Sequence, residues 1–148
     1  MPLVLQFVPL KTALPLKALR AYRQDANWPT DTKLPSNPIG KIVWVSVETN
    51  RKQIAIARLE LAPPEFCMVS ELIVNSKYRS QGVGRWFVQR IEQYCHSLGI
   101  RRLVLRPTNG SEKFYASLSF QKDPFVPEML KKEINPMLPK MFMPIGNT

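Results

Sequence analysis

Soft metal ligands are scarce in this chain of 148 residues, which has one histidine, His96, and two cysteines, Cys67 and Cys95. That inventory cannot assemble a zinc-type ligand set, so no metal centre is expected. Both cysteines fall in apolar stretches and read as buried thiols, which suits a reducing cytoplasm. His96 falls in the last turn of a helical pattern, where a helix-end cation is the ordinary role. No apolar run approaches the ~18 residues of a membrane helix, so no membrane partner is expected. The opening residues 1–10 are apolar but lack the basic start and small-residue cleavage site of an export signal. They read as a first strand. Glycine is also sparse, with six in all, so the two that stand one residue apart, Gly82 and Gly84, stand out.

Those two glycines sit where an apolar strand, 66–74, passes through a polar loop into a helix. Glycine at that spacing lets the backbone turn sharply and approach a ligand closely. The following helix contributes unpaired N–H groups and the positive end of its dipole. Together they make an anion cradle, suited to a phosphate or pyrophosphate. Two familiar nucleotide motifs are excluded. Arg85, Trp86 and Phe87 follow Gly84, so the third glycine of a dinucleotide fingerprint is missing, and no Gly-Lys-Ser/Thr marks a P-loop. A tight turn without a ligand is the plainer alternative.

The length fits one domain, 1–148, with room for a sizeable core. The formal net charge is +10, with basic residues spread through both halves. Such an excess suits an acidic or phosphorylated partner, nucleic acid included, or solubility alone.

Residues 3–8 suggest a strand and 12–23 a helix, with Pro15 in its first turn. Trp28 and three prolines, Pro29, Pro35 and Pro38, make 25–40 a loop, with or without a short helix. From Lys41 the period becomes two, giving a hairpin of 41–49 and 53–61, and Pro63-Pro64 stops it. A helix follows Gly84 with Phe87, Val88, Ile91, Tyr94 and Cys95 on one stripe and Gly99 at its end. A strand at 100–106, a short helix at 112–118 and a strand from Phe120 complete the pattern. The segment 124–148 carries five prolines and four methionines and reads as irregular, with an edge strand offered at 140–145.

The run Arg79-Ser80-Gln81-Gly82-Val83-Gly84, preceded by Leu72-Ile73-Val74, resembles the acetyl-CoA-binding motif of the GNAT superfamily of N-acyltransferases. Lys113-Phe114-Tyr115-Ala116-Ser117-Leu118-Ser119-Phe120 is similar to that superfamily's Phe-Tyr-x-x-Leu-Gly-Phe, with Ser119 in the glycine's place. The likeness covers 66–121 well. It implies an α+β, three-layer α/β/α fold, whose central mixed, mostly antiparallel sheet carries a β-splay and is flanked by helices. It implies acetyl-CoA as co-substrate, held by Ile73, Val74, Arg79, Ser80, Gln81, Gly82, Val83, Gly84 and Arg85, with Asn109 on the CoA arm. It implies Tyr115 as proton donor to the departing sulfur, whereas the residues alone make Tyr115 a core tyrosine.

Glu71 is a carboxylate inside an apolar strand, costly unless paired or useful. The same resemblance offers it as the base that deprotonates the amine. Ordered water as the base, and a salt bridge from Glu71 to an arginine, stay open. Trp28 either lines the acceptor pocket or packs. The expected activity is acetyl transfer to a primary amine of undetermined class by direct attack, without metal, in a monomer or homodimer. Two alternatives stand beside it: a non-catalytic acyl-CoA sensor or scaffold, and a toxin-like enzyme acting on aminoacyl-tRNA.

Overall fold

The computed structural model describes residues 3–31, 33–34, 37–108 and 110–141. Among the described residues seven strands and three α-helices follow one another: β1 (Gln6–Pro9), α1 (Leu16–Asp25), β2 (Lys41–Thr49), β3 (Lys52–Ala62), β4 (Phe66–Val74), α2 (Val83–Ser97), β5 (Arg102–Leu105), α3 (Glu112–Ser117), β6 (Gln121–Lys122) and β7 (Leu130–Glu133), with a 3-10 turn at Ser76–Tyr78 before α2. The strands form one sheet in the order β1-β2-β3-β4-β5-β7-β6. Among the described strands only β4 and β5 run parallel, and α2 makes the crossover between them.

Alternation along the strands divides the core in two. Val45, Val47, Ala55, Ala57 and Leu59 face Phe87, Ile91 and Cys95 of α2 and Tyr115 of α3. Trp44, Ile56 and Ile73 turn the other way, onto Leu14 and Leu19 at α1. Helices on both faces of a mixed, mostly antiparallel sheet make the three-layer α+β architecture that the sequence resemblance implied. Cys67 and Cys95 are free thiols, both buried. No described helix is long and apolar enough to cross a membrane.

The elements depart from the sequence expectations at the ends. Helix α1 begins at Leu16, not at residue 12, because a residue before proline avoids the helical region and Pro15 itself is extended. Residues 140 and 141 form no strand, and 142–145 lie outside the described residues. A strand does form earlier, at Leu130–Glu133, with a sequence almost wholly charged. It sits between β5 and β6, and its charges are met locally. Lys132 Nζ donates to Glu92 Oε2 on α2 at 2.5 Å, and Arg102 Nε of β5 donates to Glu133 Oε1 at 2.6 Å.

Candidate active site

Strand β4 carries the site because it stops pairing on one side. Its parallel ladder to β5 covers only Cys67, Met68 and Val69, yet β4 continues to Val74. On the other side, Ser70 pairs with Arg58 and Ile73 with Ile56, so the single residue Ala57 faces both Glu71 and Leu72. This is a β-bulge, and Glu71 adopts φ +50°, a left-handed conformation that is strained for a residue with a side chain. The extra residue also switches the pattern. Cys67 and Val69 face the α2 layer, whereas beyond the bulge Leu72 and Val74 take that side and Ile73 turns to α1.

Backbone polarity follows. Asn75 N donates to Ile54 O across the β3 edge, whereas Val74 O accepts from Arg79 Nε at 3.1 Å on the open edge. By alternation the N–H of Val74 points into the gap where β5 has ended, and that of Ile73 points to β3. The side chain of Ile73 is buried on the α1 face and does not line the cleft.

The gap is a cleft of about 610 Å³. One end is the turn into α2. Ser80 has φ +62° and Gly82 has φ +82°, and a Cβ at Gly82 would meet nothing within 4 Å, so the turn is open toward the cleft. Trp86 N makes the first intrahelical bond, to Gly82 O. The amides of Val83, Gly84 and Arg85 therefore have no intrahelical partner, no side chain caps them, and no acid stands in the first turn. A Cβ at Gly84 would lie 3.3 Å from Phe114 Cζ, so glycine there allows α2 to pack against α3. Arg79, Ser80 and Arg85 line the same end, while Gln81 lies off it, donating to Lys77 O at 3.2 Å. Asn109 lies outside the described residues, but its neighbours Thr108 and Gly110 line the wall.

Tyr115 closes the opposite wall from α3, stacked edge-on between Phe114 and Phe120 at 5.0 and 5.4 Å. It is only 8% exposed, and burial pushes its hydroxyl pKa up to about 12. The hydroxyl makes no hydrogen bond among the described residues, so a protonated donor faces the cleft without a protein partner.

Glu71 faces both this cleft and a second cavity of about 570 Å³ lined by Arg23, Asn27, Trp28, Pro29 and Thr108. Arg23 Nε donates to Glu71 Oε1 at 2.6 Å, and its Nη2 contacts the same oxygen. Arg23 Nη1 donates to Pro29 O at 2.7 Å, and the guanidinium sits 5.7 Å from the Trp28 ring centroid. Glu71 Oε2 accepts nothing from the described residues. The salt bridge left open by the sequence is therefore present, and one carboxylate oxygen stays available. Sequence reasoning missed Arg23. The available signal was a cation one turn after Leu19 on the buried stripe of α1, in a chain whose central strand holds a lone acid.

Among the described residues no group of three His, Cys, Asp or Glu is placed to hold a metal ion. The model of the Acetyltransferase (GNAT) family matches residues 14–120. No curated protein matches the sequence. Among solved structures, the ribosomal-protein-S18-alanine N-acetyltransferase from Escherichia coli is similar over 95% of this chain and 100% of its own, with a TM-score of 0.64 at 19% identity. Tetrahymena GCN5 superposes with a TM-score of 0.72 at 17% identity, over 90% and 98% of the two chains. An aminoglycoside 6′-N-acetyltransferase complexed with coenzyme A gives 0.65 at 14% identity, over 90% and 99%. At these identities the likeness is one of fold.

Proposed function

The chain belongs to the acetyltransferase (GNAT) family, and on that premise we propose that it moves an acetyl group from acetyl-CoA to a primary amine by direct attack in a ternary complex. The bulged end of β4 carries the reading: it frees a backbone donor, aims a carboxylate and opens the sheet beside an uncapped helix N-terminus. The cleft fits the co-substrate chemically. Three orphan amides and the guanidinium groups of Arg79 and Arg85 suit the pyrophosphate, and the gap between β4 and β5 takes the extended pantetheine arm. Bound there, acetyl-CoA supplies an activated thioester.

The chain's own residues have three tasks. The Val74 N–H, unpaired at the gap, donates to the carbonyl oxygen as negative charge develops on it. Glu71 Oε2, facing both cavities, takes the proton of the incoming ammonium directly or through one water. The Tyr115 hydroxyl donates a hydrogen bond to the departing sulfur. With a pKa near 12, against roughly 8.5 for an ordinary thiol, it stabilises a thiolate without becoming a phenolate itself. The second cavity, walled by Arg23, Trp28 and Pro29, holds the acceptor.

The test is calorimetry with CoA, followed by an acetyl-CoA-dependent screen of amines, polyamines, sugar phosphates, peptides and aminoacyl-tRNA. Binding and transfer to one amine class are expected. No heat with CoA sinks the enzyme reading, and binding without transfer to any amine leaves a sensor. Unaltered pH–rate behaviour in Glu71→Gln removes Glu71 from the mechanism.

A further inference from the structure

The geometry points to Asp25, the last residue of α1, as a positioning residue for the CoA-binding loop, tying that loop to the helix that walls the acceptor cavity. The inference rests on the cleft being a CoA site. Loop residues 75–82 hold themselves mainly through their own contacts. Asn75 Oδ1 accepts from Lys77 N at 2.9 Å, and Gln81 reaches back to Lys77 O. Asn75 N to Ile54 O and Arg79 Nε to Val74 O tie the loop to the strands, and Gly82 O accepts from Trp86 N where α2 begins; the remaining hydrogen bonds from the loop to the rest of the described chain run to Asp25. Ser76 N donates to Asp25 Oδ2 at 2.7 Å and Ser76 Oγ to Asp25 Oδ1 at 2.6 Å. Arg79 Nη2 stands 3.6 Å from Oδ2 and 3.5 Å from the Asp25 carbonyl oxygen.

An acid is poorly placed at this end of a helix, because the carbonyl end of the dipole repels it. Both oxygens of Asp25 are engaged instead by one residue of the neighbouring loop, and the Ser76 bonds hold its carboxyl below the usual range. Two residues earlier on the same helical turn, Arg23 holds Glu71. The final turn of α1 thus touches the cofactor loop with one side chain and the acceptor cavity with another. Ser80 carries a side chain at positive φ, so an anchor outside the loop adds to the contacts that sustain its shape.

Two effects oppose each other when Asp25 is removed. Arg79 loses a counter-charge, which would favour a phosphate. The loop loses two short bonds to a carboxylate, which disfavours the shape the phosphate needs. All of these contacts are exposed, but the ion pair at 3.6 Å is longer than the Ser76 bonds at 2.7 and 2.6 Å, so loss of shape dominates.

Calorimetric titration with CoA of the wild type, Asp25→Ala, Asp25→Asn, Ser76→Ala and the Asp25→Ala/Ser76→Ala double variant decides the matter. Asp25→Ala should raise the Kd for CoA about tenfold, the scale of a charge-assisted hydrogen bond. Asp25→Asn, which keeps one acceptor, should fall between it and the wild type. The double variant should bind no more weakly than Asp25→Ala, because both changes cut one link. In turnover with acetyl-CoA, KM should rise with kcat unchanged. If Asp25→Ala does not fold, Asp25→Asn and Ser76→Ala carry the same expectation at smaller size. Unchanged or tighter CoA binding by these variants overturns the assignment of Asp25 alone. No heat with the wild type overturns the CoA site itself, and Asp25's role with it.

Discussion

The two ends of the cleft are built from different material. The α2 end is mostly backbone: three orphan amides, a glycine at φ +82° and a strand that has run out of partner. The other end, the proposed acceptor end, is made of side chains brought together from far apart in sequence, since Arg23 and Glu71 are separated by 48 residues. A backbone cradle tolerates many side chains around it but demands its torsion angles. A side-chain site tolerates torsional variety but demands each charge its partner. The same amount of damage should therefore read out differently at the two ends, as lost ligand binding at one and lost folding at the other.

The largest effect is expected at the acceptor end. Arg23→Ala leaves Glu71 buried without its counter-ion, a change that costs about 3–5 kcal/mol in comparable pairs. Urea unfolding should show the loss, and Arg23→Ala/Glu71→Leu should recover part of it by removing the stranded charge. A single variant as stable as the wild type would mean that water reaches Glu71 freely, and the contrast between the ends would collapse.

Tyr115→Phe comes next. The hydroxyl has no partner to lose among the described residues, so folding should be nearly unaffected, while kcat should fall roughly 100-fold, the lower end of the range for proton-transfer groups. Unchanged turnover would remove Tyr115 from the chemistry. The same side chain has a signature in stability. Its pKa is raised in the folded state from 10.0 to about 12, so between those values the unfolded chain loses the proton first. Its share of stability is complete below pH 10 and is lost as pH rises toward 12. Tyr22 behaves alike, also at about 12, through burial and the nearby Asp25 charge. Denaturation curves from pH 9 to 12 should be flatter in Tyr115→Phe than in the wild type.

A matched pair of glycines probes the α2 end. Gly82 and Gly99 stand just outside opposite ends of the same helix, at φ +82° and +78°, and a Cβ at either would meet nothing within 4 Å. Alanine should cost about 1–2 kcal/mol at each, the penalty for a left-handed residue with a side chain. Only Gly82→Ala should also weaken CoA binding, because only Gly82 lines the cleft. Equal CoA affinity in the two variants would reduce the glycine pair at 82 and 84 to a structural turn.

This difference in material explains what was legible in the sequence. The turn at Gly82 and Gly84 announces itself because torsion angles are local. The hairpin of β2 and β3 and the apolar stripe of α2 show through for the same reason, each having a period of its own. Glu71 was visible as an acid in an apolar strand, and its salt bridge was one of the readings open. That the partner is Arg23 was not visible, since nothing near Glu71 in sequence names it. Nor was the bulge, which exists only as a register difference between β3 and β4. Strand β7 was missed because Leu-Lys-Lys-Glu has no alternation. It is a strand only because Arg102 and Glu92 receive its charges and β5 offers an open edge.

The smallest effect is the sharpest test of the premise that burial, and not contact geometry, makes the acceptor end unforgiving. Arg102 and Glu133 meet through Arg Nε and Glu Oε1 at 2.6 Å, the same atoms at the same distance as in Arg23 and Glu71. Arg23 adds a contact from Nη2 to the same oxygen, and the main difference is solvent. Side chains in the first pair are 43% and 60% exposed, and those in the second 9% and 7%. Water already satisfies an exposed carboxylate, and holding two long side chains together costs entropy, so such a pair is worth about 0.2–1 kcal/mol. Arg102→Ala should therefore shift the urea midpoint barely beyond error, and adding salt should shrink even that. Arg23→Ala should stay costly at any salt concentration, because the field around Glu71 is set by protein. Were the two variants to lose similar stability, the short contact would be the source of the energy. Arg23 would then be one more anchor for the sheet, with no special claim on the carboxylate that faces the cleft.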